Sequence, residues 1–195
     1  TNTAYTVKHY QMSLDGTYPT TPTETENLTG TTAASLTLDN LKKNYTGFTY
    51  KEGKVGNSVV TTTTILADGS RVINLYYTRN TYSVKWYTQD GTLIETDSNV
   101  AYGTKPTYNG AAQTKAATAQ YTYTFAGWAT SASGNKVYDD KASVSKLTAT
   151  NNGSVTLYAK WTRDSYTISY TLNGGSVSGT NPTSYHVESN AITLI

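Results

Sequence analysis

The sequence predicts a mostly β protein with minor α content (α+β), laid out as tandem small domains in an extended array. Three observations predict it. Strand-forming residues dominate: 39 Thr and 18 Tyr in 195 residues, with only 14% charged residues. The apolar pattern alternates with period two in most segments, as a half-buried strand requires. The chain also repeats itself: Tyr5-Thr6-Val7-Lys8-His9-Tyr10 returns as Tyr82-Ser83-Val84-Lys85-Trp86-Tyr87, and Leu75-Tyr76-Tyr77 returns as Leu157-Tyr158-Ala159. A period of that length is too long for a solenoid turn, so each unit is a small domain with its own core.

Taken in order, the first domain spans residues 3–80. Tyr5, Val7 and His9 share one strand face, and Asp15-Gly16 turns the chain into a second strand around Tyr18–Leu28. Pro19 and Pro22 place that strand at an edge, because proline has no N–H for a ladder. Thr37–Lys43 is the one helical candidate, with Leu38 and Leu41 on one side and Thr37 as its cap. A strand follows at Phe48–Lys51. Then Val59–Leu66 and Arg71–Tyr77 flank Ala67-Asp68-Gly69-Ser70 and read as a hairpin. Two strands, a short helix and further strands make a β-grasp-like plan, with the helix covering one sheet face.

The second domain spans 81–164. A hairpin, Tyr82–Tyr87 with Leu93–Thr96, leads into a long Gly/Ala/Thr-rich loop, Ala101–Gln120, in which Lys115–Ala119 has room for one helical turn. Tyr121–Trp128 and Val155–Trp161 are strands, and Asp139–Leu147 reads equally as a short helix or a strand. Residues 165–195 open a third unit and lack its closing strands; such a fragment is expected to pack on the second domain, pair with a neighbour or stay mobile. The joints Thr78-Arg79-Asn80 and Thr162-Arg163-Asp164 leave little room for flexible linkers.

Composition excludes several functions. The chain has no Cys and two His, so no thiolate site, cysteine nucleophile or His-rich metal centre is expected, and no cofactor. A net charge of +2 makes no basic stripe for nucleic acid, and no apolar run spans a bilayer, so no membrane insertion is expected. His9 has Trp86 as its counterpart in the second unit, which reads as a packing position rather than a general base; His186 has a weaker case. Glu24 and Glu26 share a strand face and read as solvated edge charges rather than a glycosidase pair. Asp139-Asp140 lacks a calcium-loop pattern, and Thr61–Thr64 lacks a phosphate-loop pattern. Asn27-Leu28-Thr29 and Asn44-Tyr45-Thr46 are glycosylation sequons by pattern only. Lys8 and Lys85 occupy equivalent positions and read as solvated. No catalytic residue is assigned.

Four stretches carry a resemblance: Tyr82–Trp86, Tyr102-Gly103-Thr104-Lys105-Pro106, Tyr123-Thr124-Phe125-Ala126-Gly127-Trp128 and Leu157-Tyr158-Ala159-Lys160-Trp161. With them, residues 81–164 resemble the internalin B-repeat (Listeria–Bacteroides repeat) family, and 165–195 look like the start of another copy. Residues 3–80 resemble the mucin-binding-protein type of repeat through Tyr5–Tyr10, Leu14–Tyr18, Gly47-Phe48-Thr49-Tyr50 and Asp68-Gly69-Ser70. Two departures are an inserted loop at Asn109–Gln120 and Thr122 in place of a usual glycine. The resemblance implies a non-catalytic segment of a cell-wall-attached, extracellular bacterial surface protein, acting as a stalk that projects a distal head. It makes Tyr123, Phe125, Trp128, Tyr158 and Trp161 core residues of the second domain. Two other readings stand beside it. One is an adhesion module that binds host glycans or surface proteins weakly through Tyr10, Tyr87, Tyr102 and Tyr108, or through a sheet edge. The other is an accessory region of a surface glycan-degrading enzyme. As an isolated segment the chain is expected to be monomeric.

Overall fold

The computed structural model describes residues 2–195. Its strands are β1 (Asn2–Gln11), β2 (Glu24–Thr31), β3 (Ser35–Thr37), β4 (Phe48–Val55), β5 (Ser58–Val59), β6 (Thr62–Thr64), β7 (Val72–Arg79), β8 (Thr81–Tyr87), β9 (Leu93–Ala101), β10 (Tyr123–Ala129), β11 (Gly153–Arg163), β12 (Tyr166–Thr167) and β13 (Ser184–Tyr185). The only helical element among the described residues is a 3₁₀ turn at Leu38–Leu41, so the protein is nearly all β.

The strands form a five-stranded sheet of order β2-β1-β7-β4-β5, a four-stranded sheet of order β10-β11-β8-β9, and two small pairs, β3-β6 and β12-β13. In the first sheet β1 and β7 run parallel at the centre, with β2 and β4 antiparallel outside them. The central strands alternate as half-buried strands must: Tyr5, Val7 and His9 of β1 and Ile73, Leu75 and Tyr77 of β7 are buried. Leu38 and Ile65 are buried in the same core.

Three expectations are corrected. Thr37–Lys43 does not form a two-turn helix. Asp39 and Asn40 are poor helix interiors, and so short a helix cannot offset its nucleation cost. Lys42 is already extended, and Lys43 is bonded to strand residues instead. The Asp68-Gly69 turn is present, with Ser70 N–H on Asp68 Oδ1 at 3.0 Å, but its flanks do not pair with each other. β6 pairs with β3, while β7 inserts between β1 and β4, where its apolar face is covered. Turn chemistry specifies a reversal, not the partner of the strand that follows. Lys115–Ala119 and Asp139–Leu147 are irregular, consistent with their lack of any apolar period.

By contacts the chain divides into two compact units. The first comprises the chain up to Lys85, with Thr96–Thr107 and Ser143–Val155. The second comprises Trp86–Glu95, Tyr108–Ala142 and Thr156–Ile195. The second unit is centred on aromatic rings. Trp128 meets Trp86 edge-on at 4.7 Å and Phe125 at 5.3 Å, and Tyr108 lies 5.2 Å away. A β-bulge between Phe125 and Gly127 turns Trp128 inward. Gly127 has φ +126°, and a Cβ there would lie 2.2 Å from the Tyr138 carbonyl oxygen, so the Gly-Trp step is a backbone requirement.

Candidate functional site

The place where one sheet hands the chain to the next is densely hydrogen-bonded. β7 ends at Arg79 and β8 starts at Thr81, with Asn80 alone between them. Every hydrogen-bonding group of Asn80 is used. Its N–H donates to Gly47 O (2.9 Å), and its C=O accepts from Tyr102 N–H (2.8 Å). Its Nδ2 donates to Ala149 O (2.8 Å), and its Oδ1 accepts from the Thr49 hydroxyl (2.6 Å). Asparagine suits the place because one short side chain offers both donor and acceptor.

The neighbours on either side are fixed as well. Arg79 donates through Nε and Nη2 to Met12 O (3.1 and 2.8 Å) and through Nη1 to Tyr102 O (2.6 Å). Its guanidinium lies 4.7 Å above the Phe48 ring. Burial lowers its pKa from the ordinary arginine value, a shift that leaves it charged. Thr81 N–H donates to Asn151 Oδ1 (3.2 Å), and Thr81 O accepts from Asn152 N–H (2.7 Å). Gly47, at φ +80°, leaves space for the Tyr102 ring; a Cβ there would come within 2.0 Å of it. All of these groups belong to the first compact unit. They form a clasp around residues 79–81.

A second polar cluster lies under β1 and β2. His9 is fully buried, with Nε2 2.8 Å from Glu26 Oε2 and Nδ1 3.0 Å from the Tyr77 hydroxyl. With Nε2 as donor to the carboxylate, Nδ1 accepts the Tyr77 O–H, and the Tyr77 oxygen accepts Lys43 N–H (3.0 Å). Lys43 Nζ bridges Glu24 and Glu26, and Tyr45 donates to Glu24 (2.6 Å). Lys43 holds both carboxyls below their ordinary range, helped by Tyr45 at Glu24 and by His9 at Glu26. The two carboxylates raise Lys43 in turn, Glu24 most. Glu24 and Glu26 are therefore not simple solvated edge charges. The sequence offered no orienting partner for His9; the fold supplies two, but it closes the imidazole off from any substrate. Among the described residues no group of three or more His, Asp or Glu is placed to hold a metal ion.

The four tyrosines singled out from sequence take separate places. Tyr10 stacks on Tyr76 at 5.0 Å and 16°, and Tyr87 stacks on Tyr158 at 5.1 Å and 20°. These two pairs occupy equivalent repeat positions. Tyr102 belongs to the clasp, and Tyr108 packs against Trp86 and Trp128. Each is half-buried against its own partners, and no ring contact joins any two of the four among the described residues. Of the motif aromatics, Trp128 is buried, Phe125 packs on it, and Trp161 meets Phe125 at 5.3 Å while staying partly open. Tyr123 lies under the Lys115 ammonium (4.3 Å). Tyr158 points away from the face that buries Leu157 and Ala159. Sequence reasoning did not find Asn80, Arg79 or Lys43; an Asn alone between two strand patterns is the one signal that marks the clasp.

No protein-family model matches the chain, and no curated protein matches it. Among solved structures it is similar to Streptococcal High Identity Repeats in Tandem (SHIRT) domains 3-4 from a cell surface protein. The identity is 16%, the match covers 82% of this chain and 98% of that chain, and the TM-score is 0.26.

Proposed function

We propose that this chain is a non-catalytic tandem-repeat segment of a bacterial cell-surface protein, and that it serves as a spacer holding a distal head away from the wall. The clasp around Asn80 carries this reading. A spacer needs a chain that passes from sheet to sheet without a loose residue, and within the first compact unit the step from β7 to β8 leaves no free backbone or side-chain group at Asn80. The recurrence of the outer-face tyrosine pair, Tyr10–Tyr76 and Tyr87–Tyr158, supports repetition of one structural unit rather than two unrelated ones. The β-grasp-like reading of residues 3–80 rests on the sheet order β2-β1-β7-β4-β5 with its parallel central pair; β3, the 3₁₀ turn and β6 stand where that plan has a helix.

The absence of native cysteine makes the test direct. Spin labels on Asn57→Cys and Ser133→Cys, both exposed sites, report the spread of distances across the joint by pulsed electron resonance. A narrow distribution that broadens in the Arg79→Ala/Asn80→Ala double variant is expected. A broad distribution in the unmodified joint overturns the spacer reading.

A further inference from the structure

A cleft of about 450 Å³ opens in the second unit. All of its lining residues belong to that unit. Ala159 and Trp161 form its floor, two residues apart on the core-facing side of β11. Ala159 is buried, whereas Trp161 is only half-covered, so an indole face stands at the open end of the aromatic core. Edge-on contact with Phe125 fixes its plane.

The two walls are firm. One is the β8–β9 turn carrying Gln89 and Asp90. It is closed by Thr88 N–H on Thr92 O (2.8 Å), and Asp90 Oδ1 accepts from the Thr88 hydroxyl and, at 3.4 Å, from Thr92 N–H. These bonds, the Thr88 hydroxyl first, hold the Asp90 carboxyl below its ordinary value, so it is an ionised acceptor at neutral pH. The other wall is the 108–122 loop carrying Gln113 and Lys115. Gln113 Nε2 donates to the Tyr108 hydroxyl (2.8 Å), whose ring is packed on Trp128, and Asn109 and Gly110 N–H both donate to Glu95 (2.9 Å each). Lys115 Nζ ties the walls together by donating to Gln89 Oε1 (2.9 Å).

The chemistry of this cleft selects a ligand class. Its volume lies in the small-ligand range, and it joins one aromatic face to a few convergent polar groups. Asp90 and Lys115 cancel in charge, which favours neither a phosphate nor a cation. Carboxamide, carboxylate and ammonium groups at the rim match hydroxyls that both donate and accept. A sugar ring has both an apolar C–H face and a dense hydroxyl edge. We propose that this cleft binds a neutral saccharide, with Trp161 as the stacking platform and Gln89, Asp90 and Lys115 as the hydroxyl-binding groups. Gln113 is a positioning residue that holds the loop. This inference does not rest on the spacer reading; a weak site of this kind gains from repetition along a surface protein.

The test uses the whole chain, isotope-labelled, and follows the three tryptophan indole N–H signals, with Trp161→Phe to assign the one that matters. The probes are N-acetyllactosamine, maltotriose and cellotriose, with 6'-sialyllactose as the anionic arm. At least one neutral probe is expected to shift the Trp161 signal saturably, with Kd on the order of 1 mM. Gln89→Ala, an exposed site whose side chain bonds only Lys115 among the described residues, is expected to weaken that binding about ten-fold, the effect of one lost hydrogen bond. Unchanged backbone amide signals elsewhere will show that the variant is folded. No shift with any neutral probe, a response to sialyllactose alone, or a shift equally strong in folded Gln89→Ala overturns the proposal.

Discussion

Replacing Asn80 with alanine tests the clasp most directly. The backbone bonds to Gly47 and Tyr102 survive the change, so only the side-chain bonds to Ala149 O and from the Thr49 hydroxyl are lost. Thr49 is exposed and recovers a water partner, so that loss is limited to the net value of one hydrogen bond, about 1 kcal/mol. Ala149 is half-buried, and its carbonyl loses a partner that water replaces only in part, adding about 1–2 kcal/mol. The expected destabilisation is about 2–3 kcal/mol, large against the total stability of a small domain. Urea unfolding by far-UV circular dichroism measures it, with an unchanged m-value showing that the same surface is exposed. Asn80→Asp separates hydrogen bonding from packing. It preserves shape and the acceptor for Thr49 but turns an oxygen toward Ala149 O, so it is expected to cost at least as much as alanine. Combining Asn80→Ala with Thr49→Val isolates the pair, with an expected coupling of about 0.5–1 kcal/mol. If Asn80→Ala costs less than about 0.5 kcal/mol, or if aspartate is tolerated better than alanine, the clasp is not held by these bonds.

Other consequences are equally open to measurement. Gly127→Ala forces a Cβ to within 2.2 Å of a backbone oxygen at a φ that disfavours side chains, and is expected to cost about 3 kcal/mol or more, read from tryptophan fluorescence during unfolding. The Glu24 and Glu26 carboxyls titrate below the ordinary 4.5 in the folded chain, so their contribution is present above about pH 4.5 and lost as pH falls through the folded values. The melting temperature of the native chain should therefore drop in acid more steeply than that of Glu24→Gln/Glu26→Gln; parallel curves would refute the linkage. Tyr76→Ala and Tyr158→Ala each remove one partner of an outer-face stack and are expected to cost about 1 kcal/mol or slightly more by thermal melting, without abolishing folding.

The strand alternation in β1, β7, β8 and β11 was legible because side chains on a half-buried sheet obey a strict period of two. The shortness of the 78–80 joint was legible for the same reason, since strand patterns run almost without a break through it. The Arg71–Tyr77 partner was not legible. Its flanking turn is local chemistry, whereas the choice of β1 and β4 over β6 depends on which apolar face three distant strands can cover together. Nor was the fate of Thr37–Lys43. Its apolar spacing suits a helix, but Lys43 is drawn out of helical geometry by carboxylates nearly twenty residues earlier in the chain. The cleft at Trp161 escaped notice because a motif tryptophan reads as core, and only the fold reveals that its cover ends before the ring does.

The two units also show how one strand frame accepts different fillings. At equivalent positions of the repeat stand His9 and Trp86, both buried. The imidazole leaves two nitrogens to satisfy, and the first unit answers with Glu26, Tyr77 and, through them, Lys43, Glu24 and Tyr45. The indole instead fills space, and the second unit answers with Trp128 and Tyr108. The outer-face tyrosine pair is the same in both. Outer pairing can thus be copied from unit to unit, while each interior is resolved by its own partners. The consequence is a difference at the equivalent positions: in the first unit a buried imidazole is tied into a network of charged groups that responds to acid, whereas the indole that replaces it in the second unit carries no titrating group. The aromatic cluster turns inward at the Gly127 bulge and ends at the half-covered Trp161, so the same packing choice leaves part of an aromatic face open to a ligand.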